Sequence, residues 1–257
     1  MIGDQSGVEK PRAIKFEQPS FYYNPTWSPD SKKIAFTDKH LTLWYIDVEG
    51  GKTVKVTTDS YDHPARTLIP AWSSDSRWIT YARRLTNHMH AVYVYSLQQG
   101  KEYQVTDGLS DALSPSIDRG GKYLYFLAST NFGLNTGWLD MTSYERPITR
   151  SVYLVVLAKD TPSPLAPESD EEKGQANDSS GVAEKSAETK EKKDVPGVKE
   201  IRIDLEGIDQ RILAVDKIPA RDYQWIAAGS EETFIYSEAV PNQTGQTLNS
   251  YDLKKRE

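Results

Sequence analysis

The sequence contains no cysteine, which excludes a disulfide framework, a thiolate metal site and a cysteine nucleophile. It also lacks a surplus of positive charge. Its formal net charge is −6 and is dispersed, so no basic face is available for nucleic acid or an anionic membrane. No run approaches the roughly 18 apolar residues that a membrane helix needs, and residues 1–20 lack the apolar region of a signal peptide. We therefore expect no nucleic acid or membrane partner and a cytoplasmic protein, or an exported parent protein if a signal peptide lies upstream.

Motifs of common catalytic sites are also missing. The sequence has no G-x-S-x-G elbow, H-E-x-x-H pair, P-loop or Rossmann glycine pattern. His88 and His90 are two residues apart in a predicted strand edge, where they would share one face and could hold a metal, but no third ligand is identifiable. Asp30 and Asp75 occupy equivalent turns of a repeat and are interpreted as turn residues. We predict no catalytic residue, no metal and no cofactor in this chain.

A repeat is the strongest positive signal. The segments NPTWSPDSKKIAF, IPAWSSDSRWITY and SPSIDRGGKYLYF each carry a proline at their second position, at residues 25, 70 and 115, so the period is 45 residues. In this register Trp27 aligns with Trp72, and both are expected to pack between adjacent blades. A repeat of this length built from short strands is typical of a propeller blade.

Within each repeat, runs of β-branched and aromatic residues alternate with turn residues. The first repeat has a turn at 28–31, a second run at 34–36, and further runs at 41–47 and 52–58. This pattern predicts an all-β fold, a β-propeller of about four blades with four antiparallel strands each, with blades starting near 25, 70 and 115.

The two ends of the sequence read as incomplete blades. Residues 223–239 form a degraded fourth copy, and residues 11–17, PRAIKFE, resemble the fourth strand of a blade that has no other strands before it. Either strand 11–17 closes a small four-bladed ring, or the sequence is a segment of a longer propeller and forms a partial or open ring. An open arc would expose sheet edges that can pair with another copy, so a homo-oligomer is among the partner hypotheses.

The third repeat is interrupted by an insertion. An ordered aromatic part follows residue 127, and an acidic linker at 165–197 is then predicted to be disordered, because 168–194 contain nine acidic and five basic residues and no aromatic residue. We divide the chain into propeller blades at 1–164, this linker, and remaining propeller strands at 198–257. The alternation of IRIDL, residues 201–205, predicts a strand that completes the third blade.

One loop concentrates groups that could recognise a ligand. Tyr61, Asp62, His63 and Arg66 place donors and acceptors at the connection between the first two repeats. One interpretation is contact with a peptide or partner, and the other is a crossover between blades held by its own hydrogen bonds.

Three longer stretches carry a family resemblance. PRAIKFEQPSFYYNPTWSPDSKKIAFTDKHLTLWYIDV, YDHPARTLIPAWSSDSRWITYARRL and GWLDMTSYERPITRSVYLVVLAKDTPSPLAPESDEE together resemble the N-terminal β-propeller region of bacterial tricorn-type serine proteases. The WSPDSKKIAF unit is shared with other propellers, including TolB-like ones, whereas SPLAPESDEE followed by IDLEGIDQRI is more particular. Because the ring implied by the family is six-bladed, the resemblance favours a segment of a longer propeller.

The resemblance implies a role without chemistry in this chain. In such peptidases the nucleophilic serine lies in C-terminal domains that follow a second propeller and a PDZ domain, so the sequence itself leaves open whether the chain is part of an enzyme. The implied function is an accessory segment that gates or guides peptides or unfolded polypeptide to a catalytic domain. Its implied partners are the remaining propeller, PDZ and protease domains of the parent chain. The alternative is a non-enzymatic, TolB-like protein-binding propeller.

Overall fold

The computed structural model of the chain describes residues 2–3, 6–8, 10–14, 16, 20–60, 68–132, 147–167, 200–241 and 243–257. Fifteen strands lie in these ranges, in four consecutive groups. The first group is β1 Tyr22–Trp27, β2 Lys33–Asp38, β3 Thr42–Asp47 and β4 Thr53–Thr58; the second is β5 Ala71–Trp72, β6 Trp78–Arg84, β7 His90–Ser96 and β8 Lys101–Gln104. The third is β9 Asp111–Ile117, β10 Tyr123–Ser129, β11 Ser151–Val156 and β12 Ile212–Ala214; the fourth is β13 Tyr223–Ala228, β14 Thr233–Ala239 and β15 Gln246–Asp252.

Each group forms its own antiparallel sheet. Three sheets have four strands in sequential order, and the fourth sheet has three, β13-β14-β15. Among the described residues no ladder joins the fourth sheet to the first, so the sheets form an arc that is not closed by strand pairing. The prediction of an all-β propeller with about four blades and a partial or open ring is confirmed.

The turn that follows the first strand of each blade has the same backbone in three copies. Ser31, Ser76 and Gly121 lie 45 residues apart and adopt left-handed φ values of 58°, 61° and 72°. In the second blade, Ser73 Oγ accepts a hydrogen bond from the Trp78 amide at 2.9 Å and donates one to Asp75 Oδ1 at 2.5 Å. Such side-chain bonds to nearby amides close the turn locally, which is why serine and aspartate recur there.

The core lies between the blades. Buried side chains form three clusters, one between each pair of consecutive sheets. Strands β6, β7 and β10 are almost entirely buried because both of their faces are covered by neighbouring sheets. Propeller blades are therefore stabilised mainly by the apolar area that they bury against each other.

The prediction of a strand at 201–205 is wrong. Residues 200–205 are not in a ladder, and the fourth strand of the third blade is β12, after a 3-10 helix at Ile208–Arg211. Ile201 and Ile203 are nevertheless buried in the cluster between the second and third blades. The Ile201 amide donates to Asp75 Oδ2 at 2.8 Å, and a Cβ on Gly121 would lie 2.5 Å from Ile201 Cγ1. Alternating apolar and polar residues indicate that one side of an extended segment is buried. Such a segment can be buried without joining a sheet, as this one is.

The N-terminal segment does not form the blade strand predicted at 11–17 within its described residues. Arg12 makes an isolated bridge with Ile2 and donates to the carbonyl of Val48. The Phe16 ring lies 4.4 Å from that of Tyr22 and 5.1 Å from that of Phe36, so the segment packs against the first blade. The Phe16 side chain contributes packing, and no ladder joins the described residues of this segment to β15.

Most of the predicted acidic linker, at 168–197, lies outside the described residues. At its described start, Leu165 packs against the cluster between the third and fourth blades, and Arg256 donates to the carbonyls of Pro164 and Ala166. No helix in the described ranges is long and apolar enough to cross a membrane.

Candidate functional site

The first strands of the second, third and fourth blades line a concave groove. One section, called the upper section here, has a volume of 420 Å³ and lies along the bodies of these strands. The other, called the lower section, has a volume of 600 Å³ and lies at the turns that follow the strands. Ser116 borders both sections. The upper section is lined by Ile69, Ala71, Ala82, Leu113, Ser114, Pro115, Ser116, Gln224, Trp225, Ile226 and Ala227. The lower section is lined by Pro29, Trp72, Ser74, Ser116, Ile117, Arg119, Gly120, Ala228, Gly229 and Glu231.

Bulges shape the strands that line the groove. Ser114 and Pro115 together oppose a single residue of β10, and Asn24 and Pro25 do the same in the first blade. Ser114 and Asn24 have left-handed φ values of 56° and 52°. A bulge places an extra, unpaired residue in the strand and suits a proline that has no amide to donate. Thr80 Oγ1 secures the bulge of the third blade by donating to the Pro115 carbonyl at 3.0 Å.

Two serines beside the bulge hold the fourth blade in place. Ser114 Oγ donates to the Ile226 carbonyl at 3.2 Å and accepts from the Ile226 amide at 3.3 Å. Ser116 Oγ accepts from the Ala228 amide at 3.0 Å. Both hydroxyls are engaged with backbone, and neither groove section is lined by a described histidine. These serines therefore position β13, and their contacts do not resemble those of an activated nucleophile.

The two sections differ in charge. The eleven described residues that line the upper section are all uncharged, and the largest of their side chains are Ile69, Leu113 and Trp225. Ile69 is 56% exposed, and the Trp225 indole is fixed by a 3.1 Å hydrogen bond from Nε1 to Gln246. The lower section includes Arg119 and Glu231, and neither forms an ion pair with a residue that the structure describes. The groove therefore offers apolar contact along the strands and charge at the turns.

Next to the lower section, charged groups join the third and fourth blades. Lys122 Nζ lies 2.5 Å from Glu232 Oε1, and this hydrogen bond holds the pKa of Glu232 below its ordinary value and raises that of Lys122. Asp118 Oδ1 accepts from the Glu232 amide at 2.8 Å. Burial raises the pKa of Asp118. Hydrogen bonds among these groups therefore connect neighbouring turns of the third and fourth blades.

The loop that the sequence analysis proposed as a contact joins the first two blades. Tyr61, Asp62, His63 and Arg66 lie outside the described residues. The chain resumes at Leu68, which is buried in the cluster between the first two blades, and Ile69, which lines the groove. The contact role of this loop stays a prediction.

The expected pairing of His88 and His90 on one face is not formed. His88 lies in an exposed turn with a φ of 67°, whereas His90 begins β7 and is buried. His90 Nδ1 lies 2.6 Å from Asp111 Oδ1, which also accepts from the His90 amide at 3.0 Å. The left-handed turn breaks the alternation on which the shared face depended. In the described ranges no group of three or more histidine, aspartate and glutamate side chains is placed to bind a metal.

Sequence reasoning missed a polar cluster between the first and second blades. Arg83 Nη1 lies 2.7 Å from both Glu102 Oε1 and Thr57 Oγ1, and its guanidinium stands 4.2 Å above the Tyr93 ring. Tyr81 donates to Glu102 at 2.5 Å, and burial raises the pKa of Tyr81 well above its usual range. All of these groups satisfy one another, so the cluster fastens two blades and leaves no group poised for proton transfer. Its members come from four strands without a shared local motif.

Comparison with known proteins identifies relatives of the chain. A family model described as the tricorn protease second beta propeller domain matches residues 2–257. A tricorn protease homolog from Saccharolobus solfataricus is 26% identical over 237 residues, which are 89% of this chain and 19% of that protein. A tricorn protease from Thermoplasma volcanium is 27% identical over 160 residues, which are 56% of this chain and 15% of that protein. The chain thus spans about a fifth of the length of such relatives.

The fold also matches a solved structure. The crystal structure of the tricorn protease superposes with a TM-score of 0.65 at 18% identity, covering 96% of this chain and 23% of that one. The resemblance to a tricorn-type propeller is confirmed, but the matching family model describes the second propeller and not the N-terminal one to which the resemblance pointed. The relatives named here are archaeal, so a bacterial source stays a prediction.

Proposed function

The chain belongs to the family of the tricorn protease second beta propeller domain, and from this premise we propose that it is an accessory segment that guides peptides or unfolded polypeptide to a peptidase domain. Hydrolysis would be carried out by that peptidase domain of the parent protein. This segment would assemble with the peptidase domain, the PDZ domain and the remaining blades. The proposal includes a cytoplasmic location. It also takes Tyr61, Asp62, His63 and Arg66 as contacts with a peptide or partner.

The groove is the observation that carries this proposal. It follows the first strands of three blades, and it combines exposed apolar side chains with a wall fixed by serine hydrogen bonds. Apolar concavities with a few polar groups are the usual form of a binding site. The hydroxyls of Ser74, Ser114 and Ser116 are engaged in structural hydrogen bonds, which fits binding and transfer better than chemistry.

Binding of an unfolded polypeptide tests the proposal. A permanently unfolded, fluorescein-labelled polypeptide is titrated with the chain, and fluorescence anisotropy gives Kd. Ile69→Asp places a charge on an exposed groove residue and should weaken binding about tenfold, because the charge must be desolvated against apolar polypeptide. Leu248→Asp is the matched control, since Leu248 is 63% exposed on β15 and lines neither groove section.

The outcomes separate the candidate functions. Binding that weakens with Ile69→Asp and persists with Leu248→Asp supports the proposal. Equal loss in both variants contradicts a role for the groove. If the unfolded polypeptide does not bind at all, the guiding function is wrong, and capture of a folded partner would then favour a protein-binding module.

A further inference from the structure

We propose that the groove selects peptides by charge: its upper section accepts an extended, uncharged segment, and Arg119 and Glu231 in the lower section receive charged residues that flank this segment. This inference rests on the proposed peptide-guiding function and names the substrate class of the same site. It concerns which polypeptide segments pass along the strands and not the bond that is cleaved.

The upper section disfavours charge because none of its described lining residues carries a charge that could pair with one. The hydroxyls of Ser114 and Ser116 are already bonded to β13. A peptide lysine or aspartate placed there would lose hydration without gaining a partner, which costs far more than the apolar contact returns. An apolar side chain instead gains contact with Ile69, Leu113 and the fixed ring of Trp225.

The length of the groove sets the length of the selected segment. Residues 224–227 of β13 line the upper section, and an extended chain rises about 3.3 Å per residue, so this uncharged wall is roughly 13 Å long. A peptide lying along it in extended conformation would present about four residues to the uncharged surface. Alternate side chains of such a segment point to opposite sides, so about two of them would face the wall.

The lower section supplies the charges. Arg119 and Glu231 stand beside Asp118 and Glu232, which are held by hydrogen bonds between turns, so their backbone positions are fixed. Neither Arg119 nor Glu231 forms an ion pair in the described part of the chain, and both line the section. A peptide leaving the uncharged surface meets one group of each sign, which suits a flanking acidic or basic residue.

A peptide series tests the selection. Three fluorescein-labelled peptides of about eight residues share uncharged flanks and differ at the centre, which is apolar, lysine-containing or aspartate-containing. The apolar peptide should bind at least about tenfold more tightly than the other two. Ile69→Asp should reverse this order by tightening the lysine peptide and weakening the apolar one, whereas Leu248→Asp should leave all three affinities unchanged. Arg119→Gln should weaken a peptide with an apolar centre and an aspartate flank without affecting the peptide with uncharged flanks.

The results distinguish this inference from the proposed function. Binding of all three peptides with similar Kd overturns charge selection and leaves peptide guiding intact. An unchanged lysine peptide in Ile69→Asp likewise overturns it, because the upper section would then not be the discriminating surface. If neither these peptides nor the unfolded polypeptide binds, the guiding function itself is wrong.

Discussion

Trp27 of the first blade and Trp72 of the second occupy the same position of the repeat but have different surroundings. Trp72 is partly buried against the cluster between these blades, and its Nε1 donates to the Thr26 carbonyl at 3.1 Å. Trp27 is 48% exposed. The turn-forming serines that directly follow these tryptophans behave identically, since Ser28 and Ser73 are both buried and both accept from the amide five residues later in the chain at 2.9 Å. Turn chemistry is thus set locally, whereas burial is set by the neighbouring blade.

The largest effect is expected where a neighbouring blade covers a side chain completely. Phe234 is fully buried between the third and fourth blades, with its ring 4.9 Å from Tyr125 and 5.3 Å from Tyr251. Phe234→Ala should lower the free energy of unfolding by about 3–5 kcal/mol. Urea denaturation followed by circular dichroism measures it. Ile235→Ala, at the next position and 39% exposed, should cost less than about 1 kcal/mol, and equal losses would contradict the role of blade contact.

The next effect tests the local part of the comparison. Ser73→Ala leaves the Trp78 amide without its acceptor, and Ser28→Ala does the same to the Lys33 amide. Each should lower the free energy of unfolding by about 1–3 kcal/mol, and by similar amounts, because the two turns are built alike. Ser74→Ala removes only an exposed bond to the Arg119 carbonyl and should cost less than either. A large difference between the first two variants would show that the turns depend on their neighbours.

The tryptophans themselves should respond unequally. Trp72→Phe removes the indole donor from the Thr26 carbonyl and should cost about 1 kcal/mol, whereas Trp27→Phe should change stability by no more than about 0.5 kcal/mol. Both variants keep an aromatic ring, so thermal and urea unfolding report mainly the polar contact and its packing. The comparison fails if Trp27→Phe costs as much as Trp72→Phe.

The smallest effect concerns the charged link between the third and fourth blades. The hydrogen bond from Lys122 lowers the pKa of Glu232 in the folded state, so its contribution is fully present above the ordinary value of 4.5. It is lost as the pH falls through the lowered pKa. Glu232→Gln should therefore reduce stability at pH 7 by less than about 1 kcal/mol, and the difference from the parent protein should disappear at an acidic pH below the lowered pKa of Glu232.

Urea unfolding of both proteins at the two pH values measures this difference. Glu231→Gln is the matched control, because Glu231 makes no ion pair among the described residues and should leave stability unchanged at either pH. A difference that persists unchanged in acid would mean that the Glu232 side chain acts through packing and not through its charge.

The sequence by itself determined the blades. The spacing of prolines and turn residues, together with two-residue alternation, located the strands of the first two blades to within a few residues. This was possible because turn geometry and the alternation of buried and exposed side chains depend on residues that are close in sequence. The absence of common catalytic motifs also led us to expect no catalytic residue in this chain, which stays a prediction. The sequence repeat did not indicate the bulge at Ser114–Pro115 or its effect on the groove.

Only the tertiary structure decided the rest, because it depends on residues distant in sequence. Ile201 and Ile203 alternate like a strand but fill a gap between blades, and the fourth strand of that blade lies further along at β12. The groove is lined by Ile69, Leu113 and Trp225 from three different blades, and no local sequence pattern predicts that they lie together. His90 and Asp111 likewise pair across 21 residues. The repeat in the sequence determines each blade, whereas the contacts between blades are determined by how the blades pack.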